Sequence, residues 1–273
     1  MIKSLVREIT LFFMVSIILA TLIDFVFYFF GGLQDNSRVL LWGLLRMYTP
    51  TVAVAVVQGL PTIKRYLHFN KRVILIYLLS PLITYLAIGI YSAFSMISGI
   101  FSISQLEVIA EKMSIDIYTF IALTFLNTYI NGLTINTLYA IGEEIGWRGF
   151  LLDKLGSTGM GFFKTTIIIG MLWGLWHSPA ILLLGYNYPD NRVLGILIFT
   201  LFTISCTAPY IIFRKISSSI LPAASMHGSM NAIWGLTLLV TSIPRELGGL
   251  GAIAILSWTI TSIMMYLVLK HRM

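Results

Sequence analysis

The chain has 273 residues, of which 58% are hydrophobic and 11% charged, with mean hydropathy +0.90 and a formal net charge of +7. Soluble domains carry about 25% charged residues, so the composition excludes the soluble globular and disordered classes and leaves an all-α integral membrane protein. A basic balance would suggest nucleic acid in a soluble chain, but here it is distributed as a topology signal that implies no nucleic-acid partner, and the single Cys206 excludes an intrachain disulfide framework.

Apolar stretches long enough to cross a ~30 Å hydrocarbon layer as helix recur along the chain. In order they are 10–30, 40–60, 73–95, 126–150, 165–185, 193–213, 220–241 and 250–269, about eight spans forming a single multi-pass membrane domain over 1–273. The first follows Lys3 and Arg7, yet it runs too long for a secretory signal and lacks a small-residue cleavage site, so it reads as a retained span. Asp24 near its end and Arg46 in the second span both fall roughly 9 Å below the same interface, at 1.5 Å per residue. A charge stranded in hydrocarbon is costly, so the two are expected to pair across the first hairpin, as a structural ion pair remote from any catalytic group.

Residues 96–125 hold Glu107, Glu111, Lys112 and Asp116 among apolar residues at near-helical spacing and read as an outer amphipathic segment. A helix running unbroken from 117 to 152 would extend roughly 54 Å, well beyond the bilayer. A break near Asn131-Gly132, or a separate interfacial helix before it, is expected. No internal repeat is visible, which weighs against the inverted-repeat transporter architectures. With the amino terminus in the cytoplasm, alternation places Lys3, Arg7, Lys64, Arg65, Lys71, Arg72, Arg148, Lys154, Lys164, Arg214, Lys215, Lys270 and Arg272 inside, 13 of the 18 basic residues. The positive-inside rule therefore predicts an N-in, C-in topology.

Three polar islands interrupt the later spans: Glu143-Glu144 with Arg148, Trp173 with His177-Ser-Pro179, and His227 with Asn231. Counted from Lys154, Lys164 and Lys215 respectively, Glu143, His177 and His227 lie roughly 16, 20 and 18 Å deep at 1.5 Å per residue. Three helices thus bring polar groups to nearly one level. Helical phase pairs Glu144 with Arg148 four residues on and turns Glu143 about 100° away. His227 and Asn231 share one face as two donors, and Trp173 lies one turn before His177 and packs against it. Pro179 removes a donor and leaves carbonyls free near His177. A lone intramembrane histidine or asparagine is commonly interhelical glue; two carboxylates, two histidines and an asparagine at matching depth argue for a site.

These groups suit water activation, with Glu143 as general base and His177 orienting the water, while His227 and Asn231 stabilise the oxyanion formed on a peptide carbonyl. A serine nucleophile at Ser178, Ser225 or Ser229 lacks an evident base. Zinc on the histidines and a carboxylate is a further reading, but no His-Glu-x-x-His spacing supports it, so no cofactor and no metal is expected. A proton-coupled transporter is the rival of another class, although its charges would spread along a crossing pathway.

At these residues the chain resembles the CAAX protease and bacteriocin-processing family of intramembrane glutamic endopeptidases, which includes the type II CAAX prenyl endopeptidases. Glu143, Glu144 and Arg148 match Glu-Glu-x-x-x-Arg, Trp147 to Phe150 match the accompanying Trp-Arg-Gly-Phe, His177 completes an aromatic-x-x-x-His begun by Trp173 in place of Phe, and His227 with Asn231 match His-x-x-x-Asn/Asp. The matched core covers roughly 125–240. The resemblance implies an eight-helix bundle with a conical cavity open to the cytosol, Glu143 and His177 activating water, His227 and Asn231 as oxyanion site, and Glu144 and Arg148 shaping the site. It further implies an endopeptidase of membrane-associated or lipidated peptides, CAAX-type prenylated ones among them, working within the lipid bilayer of the cell membrane or endoplasmic reticulum. The alternative is a non-catalytic bacteriocin-immunity or scaffold membrane protein.

Overall fold

The computed structural model describes residues 2–272, with side chains from Ser4 onward; the Lys3 side chain counted in the topology reading lies outside them. Among the described residues the regular structure is helical, apart from one isolated bridge between Phe101 and Thr241. In chain order the helices are α1 (Ile2–Phe29), α2 (Asn36–Met47), α3 (Thr49–Gln58), α4 (Lys71–Leu79), α5 (Pro81–Ile97), α6 (Ser104–Lys112), α7 (Ile117–Leu133), α8 (Ile135–Glu144), a π-helical turn (Ile145–Leu151), and α9 (Leu152–Gly156). They continue with α10 (Phe162–Trp176), α11 (Ser178–Leu184), α12 (Arg192–Ser217), α13 (Leu221–Ile233), α14 (Leu236–Leu239) and α15 (Ala252–Leu269).

Among the described residues, six helical stretches are long and apolar enough to cross a membrane: Ser4–Phe29, Asn36–Gln58, Lys71–Ile97, Phe162–Leu184, Arg192–Ser217 and Ala252–Arg272. Prolines at helix starts, Pro50, Pro81 and Pro179, mark the joints at which three of these bend without stopping. The other two spans expected from the sequence, 126–150 and 220–241, are interrupted rather than continuous. The first breaks at Thr134, whose backbone (φ −116°, ψ −97°) leaves the helical region, close to the break anticipated at Asn131-Gly132. The separate helix anticipated before it is α6, which buries Leu106 and Ala110. The second span ends as α13 after thirteen residues. Both interrupted segments carry polar islands, and the stretches around Glu143 and His227 are shielded from lipid: from Gly142 to Leu152, and from Pro222 to Met230, every residue is buried.

Contacts identify the two ends of the bundle. At one end Lys154 pairs with Glu8 (2.6 Å), Arg214 with Asp153 (3.4 Å), the Ile220 N–H donates to Tyr66 O (3.0 Å), and Phe162 stacks on Tyr266. At the other, Arg38 donates to Phe30 O (2.8 Å), the Ser102 N–H to Val240 O (3.0 Å), and Tyr188 to Leu250 O (3.0 Å). The first end holds the amino terminus and the basic clusters.

Glycines let the central helices close on one another. Gly170 and Gly174 of α10 are spaced as a small-xxx-small pair; a Cβ on Gly170 would stand 2.5 Å from Ile204 Cα and one on Gly174 2.6 Å from Thr200 Cα, both on α12. Thr203 seals the crossing by donating to Gly170 O (2.8 Å). Backbone cannot yield as a side chain can, so Gly170→Ala should cost about 1–3 kcal/mol through overpacking. Thermal unfolding of the detergent-solubilised protein should show a lower midpoint, and an unchanged midpoint would mean that the crossing has slack.

Candidate active site

The site is assembled where α8, α10 and α13 meet. Glu143 and Glu144 end α8 and are 2% and 0% exposed, levels at which an unpaired carboxylate is not tolerated. Glu144 Oε1 accepts from Arg148 Nη1 and from His227 Nδ1, both at 2.9 Å. The Arg148 guanidinium is itself sandwiched, 4.2 Å from the ring centroids of both Trp173 and Tyr210. The Glu144–Arg148 pair anticipated from helical phase is present, but Glu144 also orients His227 by accepting a hydrogen bond from its Nδ1–H, a role that spacing within one helix could not reveal. Nε2 of His227 is left for the cavity.

Glu143 points elsewhere, as its phase requires. Its Oε2 accepts from Trp173 Nε1 at 2.5 Å, an interhelical bond that the sequence does not signal, because the packing expected of Trp173 was against His177. That packing also exists, with the rings 6.1 Å apart and edge-on, and Trp173 lies closer still to His227 at 5.2 Å. One indole thus touches three of the site residues.

His177 sits at the joint between α10 and α11. There its N–H bonds to Gly174 O, three residues back, so the Trp173 carbonyl is freed and accepts from the His177 side chain, Nδ1 to O 2.8 Å. A carbonyl can only accept, so Nδ1 carries the proton and Nε2 presents its lone pair. The expectation of free carbonyls near Pro179 is met, and side chains take them: the carbonyl of Trp176 accepts from Arg46 Nη2 (2.8 Å).

Arg46 itself corrects an expectation. It pairs with Asp24 (Nε to Oδ1 3.0 Å), joined by the indole N–H of Trp42 (2.7 Å), so the ion pair across the first hairpin exists. It is not remote from the site. Its guanidinium lies 3.8 Å from the Trp176 ring centroid and lines the same cavity as Glu143. Depths of roughly 16–20 Å from the basic end carry the site past the middle of a ~30 Å layer, into the half where Asp24 and Arg46 lie.

Glu143, Trp173, His177, His227 and Asn231 line one cavity of about 360 Å³, within the range of small-molecule and peptide pockets. Asn231 is exposed within it one turn beyond the buried His227. The remaining wall comes from Val39, Leu40, Asn187, Leu238, Arg245 and Gly249 among others, all at the end of the bundle opposite the amino terminus. A cavity open to the cytosol and an N-in, C-in topology were both expected; they exclude each other, because the mouth and the amino terminus are at opposite ends.

One feature was not foreseen. The Ile145–Leu151 segment is π-helical, a distortion frequent at functional sites, and its Gly146 and Gly149 are packed against Pro50 with Phe12 and against Tyr66. The glycine spacing was its only visible signal. Among Ser178, Ser225 and Ser229, none bonds an imidazole: Ser225 bonds Ser80 and backbone carbonyls, and the other two hydroxyls are buried without a partner among the described residues. Nor do three His, Cys, Asp or Glu side chains converge as a metal-binding group among the described residues.

Residues 125–233, the stretch that carries these motifs, match the family described as Type II CAAX prenyl endopeptidase Rce1-like. Over 58 residues the chain is 40% identical to CAAX prenyl protease 2 of Methanococcus maripaludis, a match covering 21% of this chain and 21% of that protein. The chain therefore aligns with about a fifth of that relative's length. The family indicated by the motifs is the one found, over the part of the chain that holds them.

The Asp24–Arg46 pair yields a double-mutant test. Either Asp24→Ala or Arg46→Ala leaves one buried charge unpaired, at a cost of about 3–5 kcal/mol, whereas Asp24→Leu with Arg46→Met removes both. Thermal unfolding in detergent should place the double variant above either single one; additive losses would mean that the two charges are not coupled.

Proposed function

We propose that this protein is an intramembrane endopeptidase that hydrolyses a peptide bond of membrane-associated peptides, lipidated ones included, with water activated by Glu143. The observation that carries the reading is the division of labour between adjacent carboxylates. Glu144 is neutralised by Arg148 and His227, while Glu143, with only an indole N–H on one oxygen, faces the cavity. The family match over 125–233 and the name of the Methanococcus relative support a protease of this class.

In the reaction, water held between Glu143 and the unprotonated Nε2 of His177 gives its proton to Glu143 as its oxygen attacks the scissile carbonyl carbon. His227, its Nδ1–H donated to Glu144, turns Nε2 to the cavity, where the imidazolium form carries an N–H. Nε2–H and the amide N–H of Asn231 then donate to the oxyanion, where fixed donors in a water-poor site act most strongly. Collapse breaks the C–N bond, Glu143 returns its proton to the leaving nitrogen, and a carboxylate and an amine are released. No covalent intermediate and no metal enters these steps.

Glu143→Gln removes the base but keeps an oxygen for the Trp173 indole, so the variant should fold and lose activity by roughly 10²–10⁴-fold. Comparative peptidomics of membranes from cells carrying the wild type and this variant should reveal peptides cut only by the wild type. Identical peptide inventories, with full cellular function kept by both Glu143→Gln and His177→Ala, would favour a non-catalytic immunity or scaffold role.

A further inference from the structure

We infer that the cavity is entered from the face of the membrane opposite the cytoplasm. Two independent observations meet here. The first is geometric: the mouth is built from the start of α2 (Val39, Leu40), the residues after α11 (Asn187) and the segment before α15 (Arg245, Gly249), all at one end of the bundle, and nothing from 59–72, 152–166 or 212–222 lines the cavity. The second is electrostatic. Of the basic residues that the sequence assigns to the amino-terminal end, all but Arg148 belong to helix ends and short connections there, accompanied by only two carboxylates, Glu8 and Asp153. The mouth end carries Arg38, Lys112, Arg192 and Arg245 against the six carboxylates Asp35, Glu107, Glu111, Asp116, Asp190 and Glu246.

The two remaining cations, Arg46 and Arg148, are buried in ion pairs with Asp24 and Glu144. A neutralised, buried pair does not bias insertion, so folding leaves the asymmetry of the surface charges undiluted. Lys and Arg in short loops set orientation by remaining on the cytoplasmic side. The connections at the basic end, 59–70, 157–161 and 218–220, are all short, which is the case in which the rule applies. The amino-terminal end is therefore cytoplasmic and the mouth faces away.

Resting on the peptidase reading of the site, this orientation defines the substrate class: an exported peptide or the externally exposed portion of a membrane-anchored one, threaded inward from the outer leaflet. The cytoplasmic carboxyl-terminal tail of a prenylated protein would meet the closed end of the bundle.

The test needs no substrate, so it separates this inference from the peptidase reading. In a Cys206→Ala background, Asp190→Cys places a thiol on the exposed connection beside the mouth and Ser157→Cys places one on the exposed turn at the basic end. Spheroplasts expressing each variant are treated with a membrane-impermeant sulfonated maleimide before and after permeabilisation. Labelling of Asp190→Cys in intact spheroplasts, with Ser157→Cys labelled only after permeabilisation, is the expected result. The reverse pattern overturns the inference, as does equal labelling of both before permeabilisation, which would mean dual insertion. Labelling of both in detergent checks that each thiol is reachable; where one is not, Asn191→Cys or Thr158→Cys takes its place and the same outcomes apply.

Discussion

Glu144 is a fully buried carboxylate, and the way it is neutralised organises the rest of the site. In a medium with few competing dipoles a lone carboxylate of this kind would cost several kcal/mol. The structure meets that cost with two charge-assisted bonds to one oxygen, from Arg148 one turn along its own helix and from His227 across the bundle. The first is a local consequence of spacing. The second ties α8 to α13, fixes the His227 ring, and selects which of its nitrogens faces the cavity. Arg148 in turn needs cover, which the faces of Trp173 and Tyr210 supply; Trp173, held in this way, aims its indole N–H at Glu143. A single electrostatic requirement thus propagates through four helices to the side chain assigned the chemistry.

The Asp24, Trp42 and Arg46 cluster extends the same logic to the first hairpin. Asp24 is satisfied by Trp42 and Arg46, and Arg46 reaches on to the Trp176 carbonyl, one residue before His177. The Trp176 ring carries the guanidinium on its face and stands edge-on to the His177 ring, 4.7 Å between centroids. Helices outside the motif-bearing stretch therefore bear on the geometry of the histidine through packing and one hydrogen bond. The Glu144 and Asp24 clusters share no residue, yet both contribute side chains to the same cavity.

Much of this was legible in the sequence because helices have a fixed rise and a fixed phase. Counting from the flanking lysines placed Glu143, His177 and His227 at one depth, and phase alone separated Glu143 from Glu144. The pairing of Asp24 with Arg46 followed from the cost of stranding either. What escaped were relations between helices whose rotation a single sequence does not set: the bond from Trp173 to Glu143, the second partner of Glu144, and the reach of Arg46 to Trp176. Continuous spans were expected at 126–150 and 220–241 because the hydropathy is nearly unbroken. In the fold both are interrupted, the first at Thr134, whose backbone leaves the helical region, and the second at Ile233, where α13 ends. Depth also left open which end the cavity meets, because a site near the middle of the bilayer is almost equally far from both faces.

The account turns on water attacking the peptide directly while Glu143 serves only as its base. A carboxylate so placed has a second option, attack on the carbonyl to form an anhydride that water later opens at the Glu143 carbonyl carbon, and that route differs from direct attack in the origin of one oxygen atom. Enzyme in excess over a cleavable peptide, mixed into ¹⁸O-water and quenched within a single turnover, distinguishes them by mass spectrometry. Direct attack predicts one ¹⁸O in the new carboxylate of the first product and none in Glu143. An unlabelled first product, with ¹⁸O recovered in the Glu143 side chain, would contradict the assignment of Glu143 as a general base.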